Sequence, residues 1–132
     1  MRIIDLTLPI HTGMKIYPGD PEVEITQIHT LAKDGWNQLR ISMNTHDGTH
    51  VDVPHHMVEG GGDLDEYVLD DFCGGTRLYR ANEEIHKHEG LIVRGRDIDE
   101  DLAKIIIDAK PKFLGTDADF EIDADIERKI LE

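Results

Sequence analysis

The chain has 132 residues, is 39% hydrophobic and carries a formal net charge of −14. That length suits one domain with one core, here residues 1–132. The charge excludes a nucleic-acid binder, which needs a basic face to neutralise phosphates, and it repels anionic membrane surfaces. No apolar run approaches a membrane span, and the opening residues lack the apolar segment of a signal peptide. A cytoplasmic protein is the expectation. The lone cysteine, Cys73, permits no internal disulfide and fits a reducing compartment. It reads as a small packed residue before a turn, since no base adjoins it in sequence.

Taken in chain order, residues 2–8 read as a strand ending at Pro9. A Gly- and Pro-rich loop follows, and within it Tyr17-Pro18-Gly19-Asp20-Pro21 is a turn sequence. A tyrosine beside so rigid a turn can form the wall of a ligand site or simply pack on the turn. Residues 23–30 and 38–45 alternate as strands, with Lys33-Asp34-Gly35 as a hairpin-type turn between them. Three consecutive glycines, Gly60 to Gly62, mark a flexible loop. A short helical turn is expected over 65–71 and strands over 76–81 and 90–94. His86 and His88 lie in a polar loop between these strands and read as solvated. Residues 97–109 form the clearest helix, with Asp97 or Asp99 as N-cap, Leu102, Ile105, Ile106 and Ala109 on one face, and Pro111 as the stop. A short strand over 112–115 and a second helix over 123–132 complete the chain. The fold class is therefore α/β, sheet-rich first and helical mainly in the C-terminal half.

The chemistry gathers between His46 and His56. His46, His50, Asp52 and His56 fall at even spacing. In an extended backbone they would share one face, with Thr49, Val51 and Val53 on the other. Gly48 leaves room for an approaching group. Histidine and aspartate are ligands of zinc and also suit manganese, so His46, His50 and Asp52 form the natural metal set. A divalent ion there makes hydroxide available near neutral pH. His56, just past Pro54, can be a fourth ligand or a general base. Four such groups in register are costly to bury unpaired, which favours a site over capped loops.

His46-x-Gly48-Thr49-His50-x-Asp52-x-Pro54-x-His56 resembles the HxGTHxDxPxH signature of the cyclase family, metal-dependent hydrolases that include bacterial kynurenine formamidase and isatin hydrolase. Ile4 to Ile10, Tyr17 to Pro21, and Gly115-Thr116-Asp117 with Asp123 resemble its opening segment and its late Gly-x-Asp loop. The resemblance implies a swivelling β/β/α fold in dimers or tetramers. It implies zinc or manganese, one or two ions, on His46, His50 and Asp52, with the aspartate often bridging two metals. It implies His56 as the general base, Tyr17 against the substrate, and hydrolysis of the C–N bond of a small amide or lactam, as in an arylformamidase. The chain departs from the family in two respects. Glu127 stands where the family has a late histidine, and a carboxylate there can still ligate a hard metal. Family members are longer, with a metal-binding glutamate after that helix, whereas this sequence ends at Glu132. Three expectations stay open: the chain is short or truncated, a partner subunit completes the site, or the second metal is absent. The alternative reading is a weakened or inactive metal-binding relative.

Overall fold

A computed structural model describes residues 5–81, 83–117 and 122–132. The chain divides into two compact units, Met1–Val51 and Asp52–Glu132.

The first unit is built on an antiparallel ribbon of β1 (Glu24–His29) and β2 (Gln38–Ser42). Ile25 faces Ile41 and Gln27 faces Leu39, with a bulge between Gln27 and His29. The two strands form the hairpin that Lys33-Asp34-Gly35 signals, and its connection is coiled into a helical turn, α1 (Leu31–Asp34). The reason is local hydrogen bonding. Asp34 accepts from the Thr30 N–H at 2.9 Å and Asn37 from the Leu31 N–H at 2.8 Å, so two backbone donors at the helix start find side-chain acceptors. Gly35 then closes the turn in the left-handed region.

The strand expected over 2–8 does not form in its described part, residues 5–8; residues 2–4 lie outside the described residues. The Asp5 carboxylate captures the Thr7 N–H at 2.9 Å and hydroxyl at 2.7 Å, a side-chain turn that competes with strand pairing. Those bonds hold the Asp5 carboxyl below its ordinary range.

The second unit opens with short 3₁₀ turns over Pro54–His56, Leu64–Glu66 and Leu69–Phe72. A parallel sheet follows, with β4 (Gly90–Val93) between β3 (Thr76–Leu78) and β5 (Leu114–Thr116). Between β4 and β5 runs α2 (Glu100–Ala109), the crossover that parallel neighbours require. Asp99 is its N-cap, accepting from the Leu102 N–H at 2.9 Å, and Lys110 turns left-handed just before Pro111. Leu102, Ala103 and Ile106 pack into one core with Leu91, Val93, Ile98 and Ile126. Burial of Leu102 and Ile106 contributes about 1.5–3 kcal/mol each.

Ile105, expected on the same face, is exposed. At about 100° per residue, positions 102, 103 and 106 centre the buried stripe, and position 105 falls roughly 105° from that centre. The last helix, α3 (Ala124–Leu131), is capped by Asp123 and buries Ile126. The architecture is α/β with its helices mostly C-terminal, as the sequence indicates. No described helix is long and apolar enough to cross a membrane.

Candidate metal centre

The site begins where β2 ends. Residues 44–47 form a turn in which the Asp47 N–H donates to the Asn44 carbonyl at 3.2 Å. The Asp47 carboxylate reaches back to accept the Asn44 N–H at 2.7 Å. Asp47 is only 4% exposed, the one buried charged side chain among the described residues. It is a hinge pin rather than a ligand. The sequence signal for it is an Asn and an Asp three residues apart at the end of a strand.

Gly48 follows with φ +73°, and a Cβ there would come 3.3 Å from the end of Met14. The backbone thus reverses between the two histidines, where an extended chain was expected. Their convergence comes from a turn and not from strand alternation. Thr49 points away and its hydroxyl oxygen accepts the Leu8 N–H at 2.8 Å, tying the opening segment to the motif.

The reversal brings His46, His50 and Asp52 together. Each offers one ligand atom, and these lie within 4.8 Å of one another. The imidazole centroids are 5.0 Å apart and nearly perpendicular, at 89°. His50 Nδ1 lies 2.9 Å from the Gly48 carbonyl oxygen. A carbonyl can only accept, so Nδ1 carries the proton and Nε2 presents its lone pair. A carbonyl that accepts from one ring nitrogen in this way turns the other toward a metal. Donors bound tetrahedrally at about 2.1 Å stand about 3.4 Å apart, so a small inward adjustment brings all three onto one ion. The donor set fits a divalent metal. Among the described residues no other group of three acidic, histidine or cysteine side chains meets this spacing, and His86 and His88 are exposed.

His56 lies on a separate device. It ends the 3₁₀ turn begun by Pro54, and its N–H donates to the Val53 carbonyl at 2.9 Å. The loop beyond folds straight back. His55 N–H donates to the Gly62 carbonyl at 3.2 Å, Val58 N–H to Pro54 at 2.8 Å and Gly61 N–H to Val58 at 2.9 Å. Gly61 is pressed so tightly to this turn that an added Cβ would sit 2.6 Å from the Pro54 carbonyl carbon. The three glycines therefore form a close backbone crossing over the Pro54 turn. From α3, the Arg128 guanidinium donates to the Met57 carbonyl at 3.3 Å. The same helix carries Glu127, which is half-buried. Tyr17 belongs to the first unit, on a turn closed by the Asp20 N–H to its own carbonyl at 3.1 Å, and its side chain is largely exposed.

The Cyclase family model matches residues 4–114 of the chain. The chain belongs to the cyclase family. Among curated relatives, this cyclase-family chain is 33% identical over 84 residues to the kynurenine formamidase of Salinibacter ruber, covering 62% of this chain and 40% of that protein. It is 35% identical over 74 residues to the kynurenine formamidase of Erythrobacter litoralis, covering 55% of this chain and 34% of that protein. The matched stretch thus spans between about a third and two fifths of the length of these relatives. A solved structure described as a potential metal-dependent hydrolase with cyclase activity superposes with a TM-score of 0.75 at 25% identity, covering 97% of this chain and 75% of that one.

Proposed function

We propose that this chain carries the catalytic centre of a metal-dependent hydrolase that cleaves the C–N bond of a small amide. The favoured substrate class is an N-formyl arylamine such as N-formylkynurenine, with a lactam as the related case. The observation that carries the reading is the convergence of His46, His50 and Asp52, with the His50 tautomer set by Gly48. The names of the kynurenine formamidase relatives support the substrate class.

In this reading His46, His50 and Asp52 hold a divalent ion, and nitrogen with oxygen donors suits zinc or manganese. Held there, such an ion would supply Lewis acidity and make hydroxide available near neutral pH. His56 takes the proton from the attacking water and returns it to the departing nitrogen as formate separates from the amine. The turn at Pro54 and the crossing at Gly61 keep that imidazole in place. Tyr17 forms a wall for the aryl group. Glu127 adds a carboxylate from α3 where the family pattern has a histidine. The protein acts in the cytoplasm as a homo-oligomer.

Metal analysis of the purified protein, with turnover of N-formylkynurenine followed by absorbance, tests the proposal. His50→Ala is expected to lower metal content and activity together. His56→Gln is expected to keep the metal and lower kcat about 10²–10⁴-fold. A metal-loaded protein inert toward a panel of N-formyl amides and lactams would refute hydrolysis. It would favour the second reading, a metal-binding relative without turnover, for which the Glu127 replacement is the motivating observation.

A further inference from the structure

Asp47 is the one buried charged side chain among the described residues, and no step of the proposed hydrolysis uses it. A carboxylate taken out of water is costly unless it is bonded. Its bond lies within the metal motif. Asp47 Oδ2 accepts the Asn44 N–H at 2.7 Å, and the Asp47 N–H donates to the Asn44 carbonyl at 3.2 Å. These bonds run in opposite senses between the same two residues, so they clamp residues 44–47 into a closed loop. His46 lies inside that loop.

The clamp also acts forward along the chain. Gly48 is the next residue, and its carbonyl accepts from His50 Nδ1 at 2.9 Å. A Cβ on Gly48 would meet Met14 at 3.3 Å, so the turn is packed from the opening segment as well. Asp47 therefore adjoins one imidazole ligand on its N-terminal side. On its C-terminal side it adjoins the carbonyl that sets the tautomer of the other. Without the clamp both imidazoles lose the frame that turns them inward. An arriving ion would then have to order them itself, against their backbone and rotamer freedom.

We infer that Asp47 is a positioning residue that prepares His46 and His50 before a divalent ion binds. It sets the affinity of the site without touching the metal. The inference rests on the reading that His46, His50 and Asp52 hold an ion, and not on turnover.

The probe is zinc, titrated into the metal-free full chain against a chromophoric chelator. Asp47→Ala is expected to weaken zinc binding about 10–100-fold, as loss of a group that holds a ligand in place does. Asp47→Asn keeps an oxygen for the Asn44 N–H and is expected to stay within about threefold of wild type. Asp34→Ala removes a comparable bond elsewhere in the same unit, from the Thr30 N–H at 2.9 Å. It lowers the melting temperature and leaves zinc affinity unchanged. At about pH 8, where free imidazole is neutral, nitrogen-15 shifts of the metal-free chain report the His50 tautomer. Wild type and Asp47→Asn are expected to carry the proton on Nδ1, and Asp47→Ala to mix the two tautomers. Should Asp47→Ala lose its circular-dichroism spectrum, Asp47→Glu takes its place. It keeps the charge but displaces the acceptor by a methylene, and zinc affinity is expected to fall about tenfold. An Asp47→Ala or Asp47→Glu variant that binds zinc like wild type overturns the inference and leaves the metal reading standing. So does Asp47→Asn losing as much affinity as Asp47→Ala, or Asp34→Ala weakening zinc to the same degree. A wild type that binds no zinc overturns both.

Discussion

Gly60 and Gly61 offer a direct contest between backbone propensity and packing. Gly60 has φ +74° and open space where a Cβ would go, so Gly60→Ala meets only the left-handed penalty, about 1 kcal/mol. At Gly61 no left-handed backbone is involved, but the added Cβ would lie 2.6 Å from Pro54 C, 2.8 Å from Pro54 Cβ and 2.9 Å from His55 N. These are backbone and ring atoms that cannot rotate away. Relief to the 3.4 Å of ordinary contact requires the two chain segments to part by about 0.8 Å. Overpacking of this kind costs about 1–3 kcal/mol. The parting also weakens the His55-to-Gly62 and Gly61-to-Val58 backbone bonds, each contributing about 1 kcal/mol. Gly61→Ala is therefore expected to cost about 2–4 kcal/mol and Gly60→Ala about 1. Denaturant titration gives the global cost, and amide exchange at His55 and Gly61 gives the local one. Gly60→Ala proving as damaging as Gly61→Ala would refute the crossing as described.

Three further outcomes are expected. Asp99→Ala removes the N-cap of α2 and costs about 1 kcal/mol, read as a melting temperature lower by about 3–5 °C, and Asp99→Asn recovers most of it. Thr49→Val takes the acceptor from the Leu8 N–H and speeds exchange of that amide, with little change in melting temperature; Thr49→Ser preserves the protection. The Lys112 ammonium donates to Asp70 at 2.8 Å, and that bond raises its pKa above the ordinary 10.5. The pairing contributes fully below pH 10.5 and is lost as pH rises through the raised value, so Asp70→Asn should return the Lys112 titration by NMR to its ordinary position.

The two long helices were legible because their signals are local. Asp99 and Asp123 act as caps, and the apolar period of α2 marks its buried stripe. The alternation of Leu39, Ile41 and Met43 marked a strand for the same reason. It could not say that this strand would be left exposed, since burial depends on what packs against it. The opening strand does not form because the Asp5 carboxylate takes the Thr7 N–H and hydroxyl, whereas the hairpin forms as the pattern indicates, its connection coiled into α1 as Asp34 and Asn37 accept backbone N–H groups. The sequence shows that such acceptors are nearby but not which donors they will reach.

The residue types in His46 to His56 determined the donor chemistry by themselves, because imidazole and carboxylate are ligands wherever they stand. Tertiary structure decided how they meet. Even spacing pointed to an extended face, but the buried Asp47 pin and the left-handed Gly48 turn the chain back on itself. The Gly48 carbonyl then fixes which nitrogen of His50 faces outward. The seat of His56 likewise depends on Gly61 lying against Pro54, seven residues away in the chain. Contacts of this kind follow from close packing of backbone on backbone, which no periodicity in the sequence records.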